Sequence, residues 1–108
     1  MSIIDKDKID SIGINKKNGD VMLGISDHLD WSNEYEHLIM LQDKINSYLK
    51  FIESGEIYES YPKAEGKNLE IIIYAKYDVS EKGKEFLDVA YKTIEEAGFC
   101  LSYTIIGE

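Results

Sequence analysis

Apolar and polar positions alternate in two short runs near the start of the chain. In Ile9 to Asn15, Ile12 and Ile14 fall on one side of a strand. Val21, Leu23 and Ile25 then alternate with Met22, Gly24 and Ser26. Asn18-Gly19 between the runs is a strong hairpin signal, because both residues tolerate positive φ. The pattern predicts two antiparallel strands. Beyond a polar connection, Leu38, Leu41, Ile45, Leu49 and Ile52 recur at three- and four-residue spacing, which predicts a helix. Ser32 is the expected N-cap, with Glu34 and Glu36 at the positive end of the helix dipole. The helix runs to about Ser54, on the order of 33 Å, and Gly55 stops it in the left-handed conformation.

Glu56 to Asn68 carries no clear period; it allows a short edge strand at Ile57 to Tyr61 and a turn at Ala64 to Lys67. Leu69 to Tyr77 is the clearest strand, and Ile71-Ile72-Ile73 suits a central position. Ser80 caps a second helix whose buried stripe is Phe86, Leu87, Ala90, Ile94 and Ala97, with Gly98 as its end. A last strand alternates Phe99, Leu101, Tyr103 and Ile105 with Cys100, Ser102, Thr104 and Ile106. The order is ββαβαβ. Each helix carries one apolar stripe, so the expected fold is an α+β two-layer sandwich. It pairs a mixed four-stranded sheet, with room for a fifth short strand, with two helices on one face. The other face would show Tyr74, Lys76, Ser102 and Thr104. Residues 1–108 are read as one domain, with 1–8 as a flexible N-terminus. The expected core comprises Leu38, Leu41, Ile45, Leu49, Ile52, Ile71, Ile73, Phe86, Ala90, Ile94, Leu101 and Tyr103.

Charge narrows the partners. The net charge is −9, every one of the 12 basic residues is lysine, and arginine is absent. Arginine's planar fork is the usual grip on phosphate and guanine, and phosphate contacts dominate nucleic-acid affinity. Nucleic acid is therefore not an expected partner, and anionic membrane surfaces are disfavoured on the same ground. Neither a secretion signal nor an apolar run of membrane-spanning length is apparent. Cys100, the lone cysteine, has no partner for a disulfide or a zinc knuckle. A cytoplasmic location follows by default, as a monomer or homodimer. From Asn18 to Asp43 there are six acids, Asp20, Asp27, Asp30, Glu34, Glu36 and Asp43, and no lysine. That stretch solubilises the protein, or it faces a basic protein partner.

Candidate chemistry concentrates in Ser26 to His37. A metal reading would use His28 and His37 with Asp27, Asp30 or Glu34, and Glu34–His37 has the i, i+3 spacing of di-iron bundles. Those sites need the motif twice, and here it occurs once. Asp27 and Asp30 capping turns, with the histidines bonded locally, explains the same residues. Acid–base work by paired carboxylates needs burial to separate their pKa values, and no pocket is evident. No catalytic residue, metal or cofactor is nominated; Cys100 reads as a buried, inert strand residue, and Trp31 as a plug over the core. The nominated partner-binding set is Asp27, His28, Asp30, Trp31, Glu34 and His37.

The block Ile25-Ser-Asp-His-Leu-Asp-Trp31, with Glu36-His-Leu38 and Leu41-Gln-Asp-Lys-Ile-Asn46, resembles a bacterial family of small uncharacterised domains. Phe51-Ile-Glu-Ser-Gly55, Tyr61-Pro62 and Glu95-Glu-Ala-Gly-Phe99 look similar to it as well. The resemblance implies a bacterial protein and assigns no role to any residue. Three functions are consistent with the sequence. The first is a non-catalytic acidic interaction module, in a narrower form an immunity-like protein. The second is a small-ligand or metal-binding domain centred on His28, and the third an enzyme using carboxylate acid–base chemistry.

Overall fold

The computed structural model describes Ile3, Ile4 and residues 8–106. Strand β1 (Ser11–Ile14) turns into β2 (Val21–Asp27). In that turn Gly19 takes φ 80°, and Asn15 N–H donates to the Asp20 carbonyl at 2.8 Å. Asn18 keeps a negative φ, so the glycine alone supplies the left-handed step. Helix α1 (Glu34–Glu53) follows, then a short helix α2 (Glu56–Ser60) and a 3-10 turn (Pro62–Ala64). Strand β3 (Leu69–Ala75), helix α3 (Glu81–Glu96) and strand β4 (Cys100–Ile105) complete the order.

The sheet order is β1-β2-β3-β4, with β1 antiparallel to β2 and the other two pairings parallel. Ile12 pairs with Leu23, Leu23 with Ile71 and Ile71 with Leu101, so one apolar row crosses all four strands. Both parallel connections step the same way across the sheet. Right-handed crossovers then place α1 and α3 on the same face. The burial of β2 and β3 agrees: Val21, Leu23, Ile25, Leu69, Ile71 and Ile73 are buried, while their alternates Met22, Glu70, Ile72 and Tyr74 are half-exposed. The chain is thus a two-layer α+β fold with a mixed four-stranded sheet. Among the described residues, no helix is long and apolar enough to cross a membrane.

Several local expectations are corrected. Ile57 to Tyr61 is not a fifth strand; it lies in and just after α2, where Ile57 is buried in the core. Five residues are too few for a helical period to show. Gly55, at φ 85°, ends α1 and opens α2. The N-cap of α1 is Asn33, whose Oδ1 accepts from Glu36 N–H. Ser32 is diverted: its hydroxyl donates to Asp30 Oδ1 at 2.7 Å. Ser80 does cap α3, accepting from Gly83 N–H at 3.1 Å. The core includes Leu41, Ile45, Ile52, Ile71, Ile73, Ile94 and Leu101, while Leu38, Leu49, Phe86 and Ala90 are only partly buried. Tyr103 and Ala97 are exposed, and so is Cys100. Tyr103 faces the helix layer past the part of β4 that α3 covers, Cys100 alternates with Leu101 and so lies on the open face of the sheet, and Ala97 is the C-cap of α3. The expected flexible segment 1–8 falls, for residues 1, 2 and 5–7, outside the described residues; Ile3 is buried and donates its N–H to the Ser26 carbonyl at 2.9 Å.

Candidate functional site

The C-terminal end of β2 delivers Asp27 into the space between sheet and helices, and the first turn of α1 delivers His37 to meet it. His37 Nε2 lies 2.8 Å and 2.7 Å from the two Asp27 carboxylate oxygens. Their side chains are 2% and 3% exposed. On the other side of the ring, Nδ1 lies 2.9 Å from the Asp30 backbone carbonyl. A carbonyl only accepts, so Nδ1 carries a proton and donates it. Nε2 and the Asp27 carboxylate share a further proton, whichever atom holds it. Both ring nitrogens are therefore consumed, and neither offers a lone pair to a metal or a substrate. Trp31 covers the pair, its ring stacked on His37 with centroids 3.7 Å apart.

The loop between β2 and α1 is built to hold this arrangement. Asp27 Oδ1 also accepts from Leu29 N–H at 3.2 Å, and Asp30 Oδ1 accepts from Ser32 N–H at 3.1 Å. These are Asx turns, in which a carboxylate replaces a backbone acceptor two residues on. Hydrogen bonds from the Ser32 hydroxyl and then its amide hold the Asp30 carboxyl below its ordinary range, against the opposing effect of burial, with a smaller lowering contribution from nearby His37.

A second buried polar group was not singled out from the sequence. Strand β1 begins only at Ser11, the partner of Gly24, so the outer backbone groups of β2 after Gly24 have no strand partner. The Tyr48 hydroxyl donates to the Gly24 carbonyl, and Asp10 Oδ2 accepts from Ser26 N–H at 2.9 Å. Lys44, fully buried, reaches Asp10 Oδ1 at 3.0 Å and the Lys8 carbonyl at 2.7 Å. Tyr48 OH in turn accepts from Asp10 N–H at 2.8 Å. The cluster substitutes for the missing strand and satisfies groups that could not be buried otherwise. Its signal was in the sequence: His37, Leu41, Lys44, Tyr48 and Ile52 share one helical stripe, so polar residues stand at core positions.

Of the nominated set, the structure brings together Asp27, Trp31 and His37, and buries Asp27 and His37. His28 and Asp30 are exposed and Glu34 is half-exposed. The surface available to a partner in this segment is thus His28, Asp30, Glu34 and the open part of Trp31. His28 borders a shallow pocket of about 170 Å³ with Ser26, Asp27, Tyr74, Lys76 and Ile106. Among the described residues no three His, Cys, Asp or Glu side chains cluster as a metal site. Sequence reasoning passed over Tyr35, which is 76% exposed on the outer face of α1, and Ile39, one turn on and 38% exposed. Glu36, Asp43 and Asn46 share that outward face and are exposed.

A family model described as a family of unknown function, DUF6572, matches residues 1–107. The chain belongs to DUF6572. No curated protein and no solved structure matches it. Within this DUF6572 chain, membership brings no activity to any residue, and the roles of Asp27 and His37 rest on their geometry alone.

Proposed function

We propose that this chain is a non-catalytic interaction module that presents the outer face of α1 to a basic protein. The observation that carries this reading is Tyr35, an exposed aromatic with Ile39 beside it, set among carboxylates in a stretch without lysine. Tyrosine supplies rigid contact area and is enriched where partners bind. The surrounding Asp30, Glu34, Glu36 and Asp43 supply steering charge. The two buried polar clusters support the reading from the other side, since their groups are committed to holding the fold. In its narrower form, the module is a bacterial, cytoplasmic, immunity-like protein whose partner is a basic toxin. The test is capture of partners from lysate of the source cell at low and high salt, by the native protein and by Tyr35→Ala and Glu36→Gln/Asp43→Asn variants. A partner lost at high salt and lost again with both variants supports the proposal. Capture indifferent to salt and to both variants overturns it.

A second reading places a small ligand in the pocket beside His28. It is favoured by position: the pocket lies by the carboxyl ends of β2, β3 and β4, where the polar side chains of Ser26, His28, Tyr74 and Lys76 converge. The two readings separate cleanly, because His28→Ala would abolish ligand binding there and leave the α1 face untouched. Carboxylate acid–base catalysis has less support, since Asp27 is engaged by His37.

A further inference from the structure

Strand β4 lies at the edge of the sheet yet has the composition of a central strand. Ala97 to Gly107 is the longest stretch of the chain without a charged side chain. Edge strands are ordinarily protected by charge, proline or brevity. The opposite edge follows that rule, with β1 only four residues long and Asp10, Lys16 and Lys17 around it. In contrast, β4 leaves Tyr103, Ile105 and the following Ile106 at 40%, 41% and 62% exposure.

The direction of its backbone groups is fixed by the ladder to β3. Ile106 N–H donates inward, to the Ala75 carbonyl at 2.8 Å. In a parallel ladder, alternate residues turn both their groups to the same side. Ser102 and Thr104 therefore face β3, and Leu101, Tyr103 and Ile105 direct N–H and C=O outward. The side chains of those three residues point towards the helix layer, where Leu101 is covered by α3 and the other two are not. Between α3 and β4 a groove of about 270 Å³ opens beside Leu87, Asp88, Tyr91, Leu101 and Tyr103.

We propose that β4 is the self-association surface of this protein, pairing antiparallel with β4 of a second copy about a two-fold axis at Tyr103. In that register Tyr103 meets the partner's Tyr103, and Leu101 and Ile105 meet the partner's Ile105 and Leu101. All three outward-facing residues become hydrogen-bonded pairs, and the two sheets become one. Cross-strand aromatic and β-branched pairs are favourable contacts. Ile105 of each copy falls next to Leu101 of the other, at the mouth of the groove. Charge selects the occupant. Two copies at −9 repel each other over most of their surfaces, and the β4 edge is where neither carries a charge along the strand. The strand itself carries no carboxylate; Asp88 stands on the α3 side of the groove and Glu70 is held by the Ser102 hydroxyl. The surface is separate from the α1 face, so this proposal stands or falls apart from the proposed function. One strand with its flanking side chains buries roughly 1,000 Å² in total, the low end of stable interfaces. The dimer is accordingly expected at micromolar concentrations.

Sedimentation velocity of the full chain, from about 1 to about 200 µM, brackets the affinity expected of so small an interface. It should show a monomer–dimer equilibrium that tightens with added salt, because salt screens the like charge of the copies. Amide hydrogen exchange at the high end should protect the Leu101, Tyr103 and Ile105 amides, which exchange freely when dilute. Ile105→Lys places a charge on the edge. Tyr103→Pro removes an outward N–H that bonds nothing within the sheet. Both variants should be monomeric throughout, with native near-ultraviolet circular dichroism. A wild-type chain monomeric at the highest concentration overturns the proposal. So does a dimer that survives Ile105→Lys with those three amides unprotected, or edge amides protected only in complex with a different protein.

Discussion

His37 and Asp27, ten residues apart in sequence, face each other at 2.7 Å in a place almost closed to water. The contact ties the start of α1 to the end of β2 and sets where the helix crosses the sheet. A buried hydrogen-bonded pair in this setting is costly to break from one side, because the remaining partner is left buried and unsatisfied. Asp27→Ala and His37→Ala should each lose ~3–5 kcal/mol in urea unfolding. The double variant should lose clearly less than the two together, since the second change removes the group that the first had stranded. Additive losses would mean that the two side chains stabilise the fold independently, and the pairing argument would fail.

Trp31 is held from its second side by α3. A Cβ built on Gly83 would stand 2.9 Å from the Trp31 ring and 2.6 Å from a Val79 methyl. Glycine costs about 1 kcal/mol against alanine in a helix interior, and here the space it leaves is what lets the indole lie flat on His37. Gly83→Ala should therefore destabilise the protein by ~1–3 kcal/mol from overpacking, despite the better helix propensity of alanine. Emission from the lone tryptophan should move to longer wavelength as the ring is pushed towards water. Equal or greater stability with an unchanged spectrum would show that Val79 and Trp31 yield without cost.

Burial pushes the Tyr48 phenol well above its ordinary 10.0. The hydrogen bond from Asp10 N–H opposes that shift, and the Asp10 charge adds to it. The folded protein thus keeps this proton at a pH where the unfolded chain releases it. The stability linked to it is whole below pH 10 and falls as pH rises past that value. Tyr48→Phe also strands the Asp10 amide, which donates to the Tyr48 hydroxyl, a cost of ~1–3 kcal/mol for a buried group left unpaired. Urea midpoints measured from about pH 8 to about pH 11 should fall more steeply for the wild type than for Tyr48→Phe, because the variant has lost this linkage. Parallel curves would place the Tyr48 hydroxyl in contact with water.

The regular parts of this fold were legible because their signals are local. Val21-Leu23-Ile25 and Leu69-Ile71-Ile73 alternate as half-buried strands must, and the two helices show their stripes within a few turns. Residues that join elements over long distances were not legible. The partners of His37, Lys44 and Tyr48 lie 10, 34 and 38 residues away, and no spacing rule reaches that far. Apolar residues alone gave the α1 stripe, so Lys44 and Tyr48 were left out of the expected core. Tyr103 was placed in the core because strand alternation fixes a face of the sheet, while the depth of that face depends on how far α3 extends over it. The segment Ser26 to His37 stands out in the sequence for its polar groups. Its density of polar groups has a structural cause in Asp27 and His37, and an exposed remainder in His28, Asp30 and Glu34.

That division gives a last prediction. Changing Asp27, Asp30 and Glu34 together to their amides would mix two effects that the structure separates. Asp30 and Glu34 are at the surface, and their charges act mainly on approaching molecules, so Asp30→Asn/Glu34→Gln should leave the melting temperature within a few degrees. Surface changes away from special contacts usually lie within about 0.5 kcal/mol. Asp27→Asn keeps the size and an acceptor oxygen but removes the charge shared with His37, and it turns one oxygen into a donor facing the ring. It should lower the melting temperature by several times the shift of the surface pair. If a basic partner is in hand, the ranking should invert for association rate, with the surface pair slowing it most at low salt. Equal melting temperatures for the two variants would show that the Asp27–His37 contact is not what holds the start of α1 in place.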